Sequence, residues 1–453
     1  MPSSRSALIP TGATFNRRGW HALSHLPDAG GGPFWADLQI LNRPLEFTRR
    51  VQAQCGPVAR TVIGGQPHVL LLSAQALETV LLDRERVFSS RGGWSSLLGE
   101  LFPRGLLLRD GDEHRHHRRL LLPAMRREAL ADYLQRMVAP VQQAVQGWIA
   151  QGALPQLGLG AMRRLALSRA ADLLLALDDP AEVEQAEHDF AELVEASTAL
   201  VRMPLIGRRY ARGLKARARL VDSLSHLTRR RRQSPGPDLL SRLIEAHDET
   251  GQRLEDDEIV DHLVFLMMAA HDTTASALSS ALALLAQHPQ WQRRLRDEQP
   301  QMTRFIREVL RLNPPVALLQ RQTLRDTEVD GHRLPAGALI SLLPLHVQRD
   351  PQWWADPDRF DPDRFDPAHL APGRMDPDGS HPRPPHPYAW APFGGGPHLC
   401  LGQHLAETQM RLVLTEVLRH ASLHLPPGQS PRWRHAPITH SADRLPILLR
   451  API

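Results

Sequence analysis

The residue with the clearest chemical potential is Cys400, one of only two cysteines among the 453 residues of the chain. It lies in residues 393–402, which read FGGGPHLCLG, next to a predicted amphipathic helix that starts near Leu401. The dipole and free N–H groups of a helix N-terminus favour a thiolate, and the three glycines would let the backbone approach a flat ligand closely. Ligation of haem iron is the chemistry that best fits a thiolate in such a turn. A buried structural cysteine is the alternative.

A second group with chemical potential lies in residues 269–274, which read AAHDTT inside a long apolar helix pattern. Aspartate and threonine are poor interior helix residues because their side chains compete for backbone hydrogen bonds. A buried carboxylate also costs free energy unless it is partnered. Asp272 and Thr273 therefore form either a satisfied polar notch or a proton relay beside a reactive oxygen. His271 is expected to pack or to hydrogen-bond rather than to catalyse.

Two further pairs have helical spacing. Glu308 and Arg311 are three residues apart and so meet on one helix face, where an ordinary surface ion pair is the simplest interpretation. His114 and Arg118 are four apart, within the run DGDEHRHHRR of residues 110–119. This run could be an exposed basic helix. Its three histidines also suggest a metal site, but they do not have the spacing of zinc ligands.

The elements that must position these residues are mainly helical. The longest helix pattern covers residues 256–288, which acidic residues open and Pro289 closes. A second helix pattern covers residues 302–312 and ends before Pro314. Residues 111–235 are mostly helical, with breaks expected near four prolines: Pro155, Pro180, Pro204 and Pro235.

Strand and loop patterns surround the helices. Residues 59–72 predict a hairpin, followed by a helix capped by Ser73. Short strands are expected across residues 330–343, a mobile loop at 88–109 and irregular structure in the proline- and aspartate-rich 355–390. We therefore expect a mainly α fold with small β-sheets. It would form one domain over residues 31–453 after a polar lead-in at 1–30, with a β-containing lobe at about 31–75 and 320–345.

The four groups together resemble the cytochrome P450 family, in the family's order and over roughly residues 30–453. The resemblance implies the P450 fold, with a long central helix over haem b. It also implies that Cys400 is the axial ligand of the haem iron, that Phe393 packs near the sulfur and that Gly396 belongs to the cofactor-binding loop. The haem propionates would bind four basic residues: His114, Arg118, Arg321 and His398.

The resemblance also assigns catalytic roles to the long helix. Asp272 would relay protons from solvent, and Thr273 would assist oxygen activation. Ala270 stands where the family usually has glycine, so the helix distortion at this point is expected to be weaker.

A structural role follows for the other helical pair. In the family, the Glu-x-x-Arg pair binds an arginine further along the chain and locks the segment before the cysteine loop. Residues 357–360 and 362–365 both read PDRF. Arg364 is the better partner for Glu308 and Arg311, because Phe360 then takes the preceding aromatic position.

The expected activity is that of a soluble bacterial-type monooxygenase. It would insert one oxygen atom of O₂ into a hydrophobic substrate that is lipid-like, terpenoid, steroid or aromatic. The chain carries no flavin or iron–sulfur motif, so electrons would come from a ferredoxin or flavodoxin and its reductase. Such carriers are typically acidic, and Arg115 and Arg119 could help to form a basic docking face.

The resemblance to the family also implies which segments line the substrate pocket, and these are mostly apolar. They are residues 88–107, with Trp94, Leu97, Leu98, Leu101 and Phe102, the 195–210 region, Ala269, residues 316–319 and the segment near Thr439. A peroxide-driven peroxygenase is an alternative function, but the Asp272–Thr273 pair argues against it. A non-catalytic haem-binding protein and a nucleic-acid binder are the others.

Composition limits these alternatives. The net charge is +5 and the pI is about 9.9, yet no nucleic-acid-binding motif accompanies the basic residues. The chain has no apolar stretch near ~20 residues, and residues 1–30 lack the apolar core of a signal peptide. Two cysteines argue against a disulfide framework. We expect a cytoplasmic monomer with no stable membrane anchor and no nucleic-acid partner.

Overall fold

Helices dominate the computed structural model, which describes residues 17–30, 35–177, 179–197, 199, 208–298, 300–367 and 386–451. The helices are α1 (Arg17–Ala22), α2 (Trp35–Asn42), α3 (Pro44–Cys55), α4 (Ala74–Leu82), α5 (Ser90–Leu98), α6 (Gly111–Leu121), α7 (Arg127–Gln151), α8 (Leu159–Leu175), α9 (Pro180–Ser197), α10 (Arg208–Gln233), α11 (Leu239–Glu245), α12 (Asp256–Gln287), α13 (Pro289–Asp297), α14 (Gln301–Leu312), α15 (Pro344–Val347) and α16 (Gln403–His420). No helix of this described part has both the length and the apolar composition that crossing a bilayer requires.

The strands form small sheets. They are β1 (Val58–Ile63), β2 (Gln66–Leu71), β3 (Phe88–Ser89), β4 (Ala153–Leu154), β5 (Leu319–Thr323), β6 (Thr327–Val329), β7 (His332–Leu334), β8 (Leu339–Leu342), β9 (Ser422–His424), β10 (Trp433–Arg434), β11 (His440–Ser441) and β12 (Ile447–Arg450). The largest sheet has the order β1-β2-β8-β5-β3, and smaller sheets pair β4-β12-β9, β6-β7 and β10-β11.

The predicted hairpin and its following helix are present. Strands β1 and β2 pair in antiparallel register with Val58 opposite Leu71. Gly64 and Gly65 turn the chain at φ values of 58° and 74°, which glycine adopts without steric cost. Ser73 caps α4 by accepting a hydrogen bond from the amide of Ala76.

The predicted long helix is α12, and it runs through the centre of the fold. Glu255 and Glu258 form a reciprocal capping box at its start. Most of its length is buried, and it contacts both α8 and α16. At ~1.5 Å per residue it spans roughly 50 Å, so its two ends lie on different sides of the molecule. The second predicted helix, residues 302–312, corresponds to α14.

The mobile loop predicted for residues 88–109 is wrong. This segment forms β3, α5 and a 3₁₀ helix at Leu106–Leu108. Its glycines serve close packing: a Cβ on Gly93 would lie 2.6 Å from the amide nitrogen of Arg321 in β5. Glycine therefore allows α5 to lie directly on the sheet, and Ser89 caps the helix by accepting from the amide of Gly92.

Proline interrupts the helical region as predicted at three of the four positions. Pro155 begins a 3₁₀ helix, Pro180 begins α9, and Pro235 follows the end of α10, while Pro204 lies outside the described residues. The irregular region contains 3₁₀ turns at Pro362–Phe365 and Pro387–Ala389, and residues 368–385 also lie outside the described part.

Candidate functional site

A largely apolar cavity of about 470 Å³ lies between α12, α5 and the loop that carries Cys400. Other parts of its wall come from the segment before β5 and from the connection between β10 and β11. Cys400, Phe393, Asp272 and Thr273 all line it. The structure thus brings the two predicted chemical groups, which are more than 100 residues apart in sequence, to one cavity.

The cysteine loop is held in a tight turn before α16. The amide of Cys400 donates to the carbonyl of Phe393 over 3.0 Å. Gly396 has φ +60°, and a Cβ there would lie 1.9 Å from the carbonyl oxygen of Leu81 in α4. A Cβ on Gly395 would lie 2.5 Å from the ring of Tyr388. These two glycines therefore allow the loop to pack against protein, which differs from the predicted approach to a flat ligand.

Cys400 is an exposed free cysteine, and it lines the cavity. Burial by the surrounding protein raises the pKa of this thiol, and this effect outweighs the amide of Gly402 and the charge of Arg118. A bound metal cation would reverse that balance, because a coordinating thiol is deprotonated. The position therefore suits a thiolate that is formed by metal binding.

Four basic side chains collect beside this loop. The rings of His114 and His398 are in contact, with centroids 3.9 Å apart and planes tilted by 32°, and Arg118 and Arg321 line the same cavity. Burial, reinforced by the neighbouring arginine charges, lowers the pKa of His114 to about 4. The Nε2 atom of His114 is buried without a hydrogen-bond partner among the described residues.

Arg321 is buried as well, at 4% exposure. Burial lowers its pKa to about 10, against the opposing charges of Asp110 and Asp83. Grouping buried cationic side chains with an unpaired imidazole nitrogen is costly unless an anion satisfies them. The donor set therefore fits haem b, with a thiol for the iron and basic groups for the propionates.

Asp272 lies on the α12 wall of the cavity and is held by two basic groups. Arg163 of α8 donates from Nε to Asp272 Oδ1 over 2.8 Å, and His271 Nδ1 is 3.2 Å from the same oxygen. Burial would raise the pKa of Asp272, but His271 and Arg163 together hold it below its usual value. The carboxylate is thus ionised within an apolar wall.

Arg163 is a functional candidate that the sequence pattern did not indicate. It lies 109 positions before Asp272, and nothing in its local sequence distinguishes it from its neighbour Arg164. Its side chain is 46% exposed, so it connects the buried carboxylate to solvent. Thr273 is next to Asp272 and donates its hydroxyl to the carbonyl of Ala269 over 2.6 Å.

The Glu308–Arg311 pair is fully buried, in contrast to an ordinary surface ion pair. Arg311 Nε donates to Glu308 Oε2 over 2.6 Å, and both side chains have 0% exposure. Arg364 Nε donates to Glu308 Oε1 over 3.1 Å. The structure thus places Arg364 at this site as predicted, while Arg359 of the duplicate PDRF stretch pairs with Asp361.

This charged group connects to the cysteine loop through Gln348. Arg311 donates to the backbone carbonyl of Gln348 over 2.9 Å. The side chain of Gln348 then accepts from the amide of Ala391 over 3.0 Å, two residues before Phe393. Phe393 itself packs edge-on against Trp390, at 6.2 Å between ring centroids.

The three neighbouring histidines of α6 do not gather around one metal position. His114 stacks on His398, His116 faces Asp248 at 3.4 Å, and His117 contacts His262 at 2.9 Å. The structure therefore separates the side chains that the sequence placed in one run.

Each predicted pocket segment contributes to the cavity wall, but the individual residues Leu101 and Phe102 do not. Leu101 and Phe102 are buried in the core, where Phe102 packs edge-on against Phe265. Thr439 is also buried, and it is the preceding residues 435–438 that face the cavity. Within the 195–210 region, Ser197 lines the wall, whereas residues 200–207 lie outside the described part.

Comparisons with known proteins identify the family of the chain. A family model described as Cytochrome P450 matches residues 31–441. The putative cytochrome P450 136 of Mycobacterium tuberculosis is 34% identical over 416 residues, which cover 87% of this chain and 82% of the relative. Cyclooctat-9-en-7-ol 5-monooxygenase of Streptomyces melanosporofaciens is 29% identical over 421 residues, or 86% and 87% of the two chains. The solved structure of retinoic acid-bound cyanobacterial CYP120A1 has a TM-score of 0.78 and 28% identity, and it covers 94% of this chain and 99% of that one.

Proposed function

This chain belongs to the cytochrome P450 family and is a monooxygenase that binds haem b through a cysteine thiolate, and we propose that Cys400 is that thiolate. The observation that carries the proposal is the cavity itself, which Cys400 shares with Asp272, Thr273 and the four basic side chains. The second cysteine, Cys55, lies in α3 and its thiol donates to the carbonyl of Asp28. It does not line the cavity.

The roles of the other residues follow from their positions. His114, Arg118, Arg321 and His398 would bind the two haem propionates, because basic donors pair strongly with carboxylates. The bound haem supplies the reductive activation of O₂. The protein supplies positioning, exclusion of water by the apolar wall, and protons.

Proton delivery is assigned to Arg163, Asp272 and Thr273. Arg163 is half exposed and forms an ion pair with Asp272. The Asp272 carboxylate would accept a proton from solvent on this side and release it on the cavity side. Thr273 lies next to it on the same wall, and its hydroxyl would become the next donor by turning from its hydrogen bond to the carbonyl of Ala269 toward the cavity. This order moves a proton from the surface to the cavity without opening the apolar wall to bulk water.

Asp272→Asn is expected to lower product formation by roughly 100-fold, because a positioned proton-transfer group typically contributes 10²- to 10⁴-fold. Arg163→Gln is expected to have a smaller effect in the same direction, because the carboxylate remains but is held less firmly. The measurement is product formed per minute with a substrate that binds the wild type, together with the solvent deuterium isotope effect, which should increase in both variants.

Arg164→Gln is the matched control for Arg163, since it removes the same charge from the next position of α8. It should keep the wild-type rate and isotope effect. If Asp272→Asn retained both as well, Asp272 would have no part in proton delivery.

The substrate is proposed to be a hydrophobic, lipid-like molecule such as a terpenoid. Apolar side chains form most of the cavity wall, among them Leu97, Leu98, Leu107, Val316 and Ile438. The names of two relatives point in the same direction, because one acts on cyclooctat-9-en-7-ol and the other was solved with retinoic acid.

Titration of the purified haem-loaded protein with a library of terpenoids, steroids, fatty acids and water-soluble aromatic acids tests this substrate class. We expect changes in the haem absorbance spectrum with members of the hydrophobic classes at micromolar concentration, and none with the small polar acids. Tight binding confined to the polar acids would contradict the proposed class.

Electrons are proposed to come from a separate ferredoxin or flavodoxin in the cytoplasm. Arg115 and Arg119 lie on α6, the helix that also carries Arg118 toward the cavity. Arg119 is exposed, and the side chain of Arg115 is 41% exposed beside Asp112. A basic surface so close to the cofactor cavity would attract an acidic carrier.

Reversal of both charges, Arg115→Glu with Arg119→Glu, is expected to slow the first electron transfer about 10-fold or more at low salt, because steering of charged partners changes association rates by 10 to 10³. The difference should shrink at high salt, where the charges are screened. Stopped-flow reduction by an acidic ferredoxin measures the rate. Arg333→Glu with Arg434→Glu makes the same change in net charge on strands β7 and β10. An equal loss of rate in that control would remove α6 as the docking site.

A further inference from the structure

A single histidine lies in the cavity wall away from the basic group beside Cys400. His435 follows β10 and lines the cavity next to Pro437 and Ile438. It is only 5% exposed. The neighbouring residues that lower its pKa are Arg349 and His440, which differ from the residues that lower the pKa of His398.

The connection that carries His435 is fixed against the centre of the fold. The amide of Thr439 donates to the carbonyl of Pro315 over 3.0 Å, and the carbonyl of Thr439 accepts from Ser276 of α12 over 2.5 Å. His435 is therefore held through Thr439, which is bonded to α12 at Ser276, one helical turn after Asp272.

The hydrogen bonds of Thr439 determine which ring nitrogen of His435 carries the proton. Thr439 Oγ1 lies 2.5 Å from the carbonyl oxygen of Pro314. A carbonyl oxygen can only accept, so the single hydroxyl proton of Thr439 is used there. The 3.3 Å contact between Thr439 Oγ1 and His435 Nδ1 then requires Nδ1 to be the donor.

The other ring nitrogen of a neutral imidazole is an acceptor. Nε2 of His435 is thus a bare acceptor, and it has no hydrogen-bond partner among the residues that the structure describes. We propose that His435 Nε2 accepts a hydrogen bond from a hydroxyl or N–H group of the substrate, and that His435 selects hydrophobic substrates carrying such a donor. This inference rests on the proposed function, since it names a polar group on the lipid-like substrate.

Burial and a neighbouring charge keep the ring of His435 neutral, so that Nε2 remains an acceptor. Burial lowers the pKa of His435 to about 3, and the neighbouring Arg349 and His440 add to this effect. The ring is therefore neutral at physiological pH. A neutral acceptor favours an alcohol over its ether and offers nothing to an ionised carboxylate.

Three pairs of probes test the inference on the haem-loaded protein: retinol, geranylgeraniol and cholesterol, each compared with its own methyl ether. Each pair shares a carbon skeleton and differs in the donor. We expect the alcohol of at least one pair to bind about 5- to 10-fold more tightly than its ether. One hydrogen bond contributes about 0.5–1.5 kcal/mol, and leaving a buried acceptor unpaired adds to the difference. Isothermal titration calorimetry measures both dissociation constants without turnover.

His435→Asn is the decisive variant. Its short amide can keep the hydrogen bond to Thr439 but has no atom in the position of Nε2. The ratio between alcohol and ether should fall to about one in this variant. His435→Phe, which keeps the ring volume, should give the same ratio if the asparagine variant does not fold. His440→Phe changes a histidine on the same hairpin outside the cavity, and it should keep the wild-type ratio.

The outcomes separate this inference from the proposed function. Ethers that bind as tightly as alcohols to the wild type, or an unchanged ratio in both His435 variants, would overturn the assignment of His435 and leave the hydrophobic substrate class standing. If no member of any pair bound, the substrate class and this inference would both be wrong.

Discussion

Cys400→Ser is expected to abolish the red-shifted absorbance band that the reduced protein gives with carbon monoxide. Thiolate donation to the haem iron favours O–O cleavage, and a serine hydroxyl in its place provides no comparable donor. Product formation should fall at least about 1,000-fold, which corresponds to about 4 kcal/mol in the activation free energy. The measurements are the carbon monoxide difference spectrum and the rate of product formation.

Cys55→Ser is the matched control, because it makes the same chemical change at the other cysteine, outside the cavity. It should retain both the band and the rate. The spectrum distinguishes ligation from folding, since on the proposed roles of His114, Arg118, Arg321 and His398 the Cys400 variant would still hold haem by its propionates. A normal red-shifted band in Cys400→Ser would exclude Cys400 as the ligand.

Glu308→Ala is expected to destabilise the protein by about 3–5 kcal/mol, the cost of removing one partner from a buried ion pair. Arg311 would remain at 0% exposure without a carboxylate, and Arg364 would lose the same partner. Arg311 is connected to the cysteine loop through Gln348 and Ala391. The loop should therefore lose its structure at a lower urea concentration than in the wild type. The measurement is the urea concentration at which half of the carbon monoxide band is lost.

Arg359→Ala tests the same PDRF motif in its duplicate copy. Arg359 is 65% exposed and pairs with Asp361 at the surface, and such pairs contribute about 0–1 kcal/mol. Its urea midpoint should therefore stay near that of the wild type, while Arg364→Ala should lower it. Equal midpoints for Glu308→Ala and Arg359→Ala would show that the buried group does not stabilise the loop.

Features carried by short stretches of sequence were predictable. The turn before α16, the long helix α12, the hairpin of β1 and β2, and the Glu308–Arg311 spacing each depend on neighbouring residues. Helical periodicity, capping residues and glycine turns act over a few positions, so one sequence can show them. The family follows from the combination of these local motifs.

Features that depend on close approach between distant segments were not predictable. The glycines of residues 88–109 indicated a mobile loop, yet Gly93 is needed because α5 lies on β5 beside Arg321. Gly396 is likewise required by the carbonyl of Leu81, more than 300 positions away in the chain. In the sequence a glycine shows only that a side chain is absent. The need for that absence comes from the segment that packs against the glycine, which the sequence does not identify.

The sequence by itself thus determined the family and its reaction class, because the motifs around Cys400 and Asp272 are local patterns. Only the tertiary structure decided how those groups are supported. It paired Arg163 with Asp272, buried the charges of Glu308 and Arg311, and brought His435 to the cavity wall with its Nδ1 on Thr439. The physical reason is that ion pairing, burial and tautomeric state are set by neighbours in space, and a linear sequence does not state which residues those neighbours are.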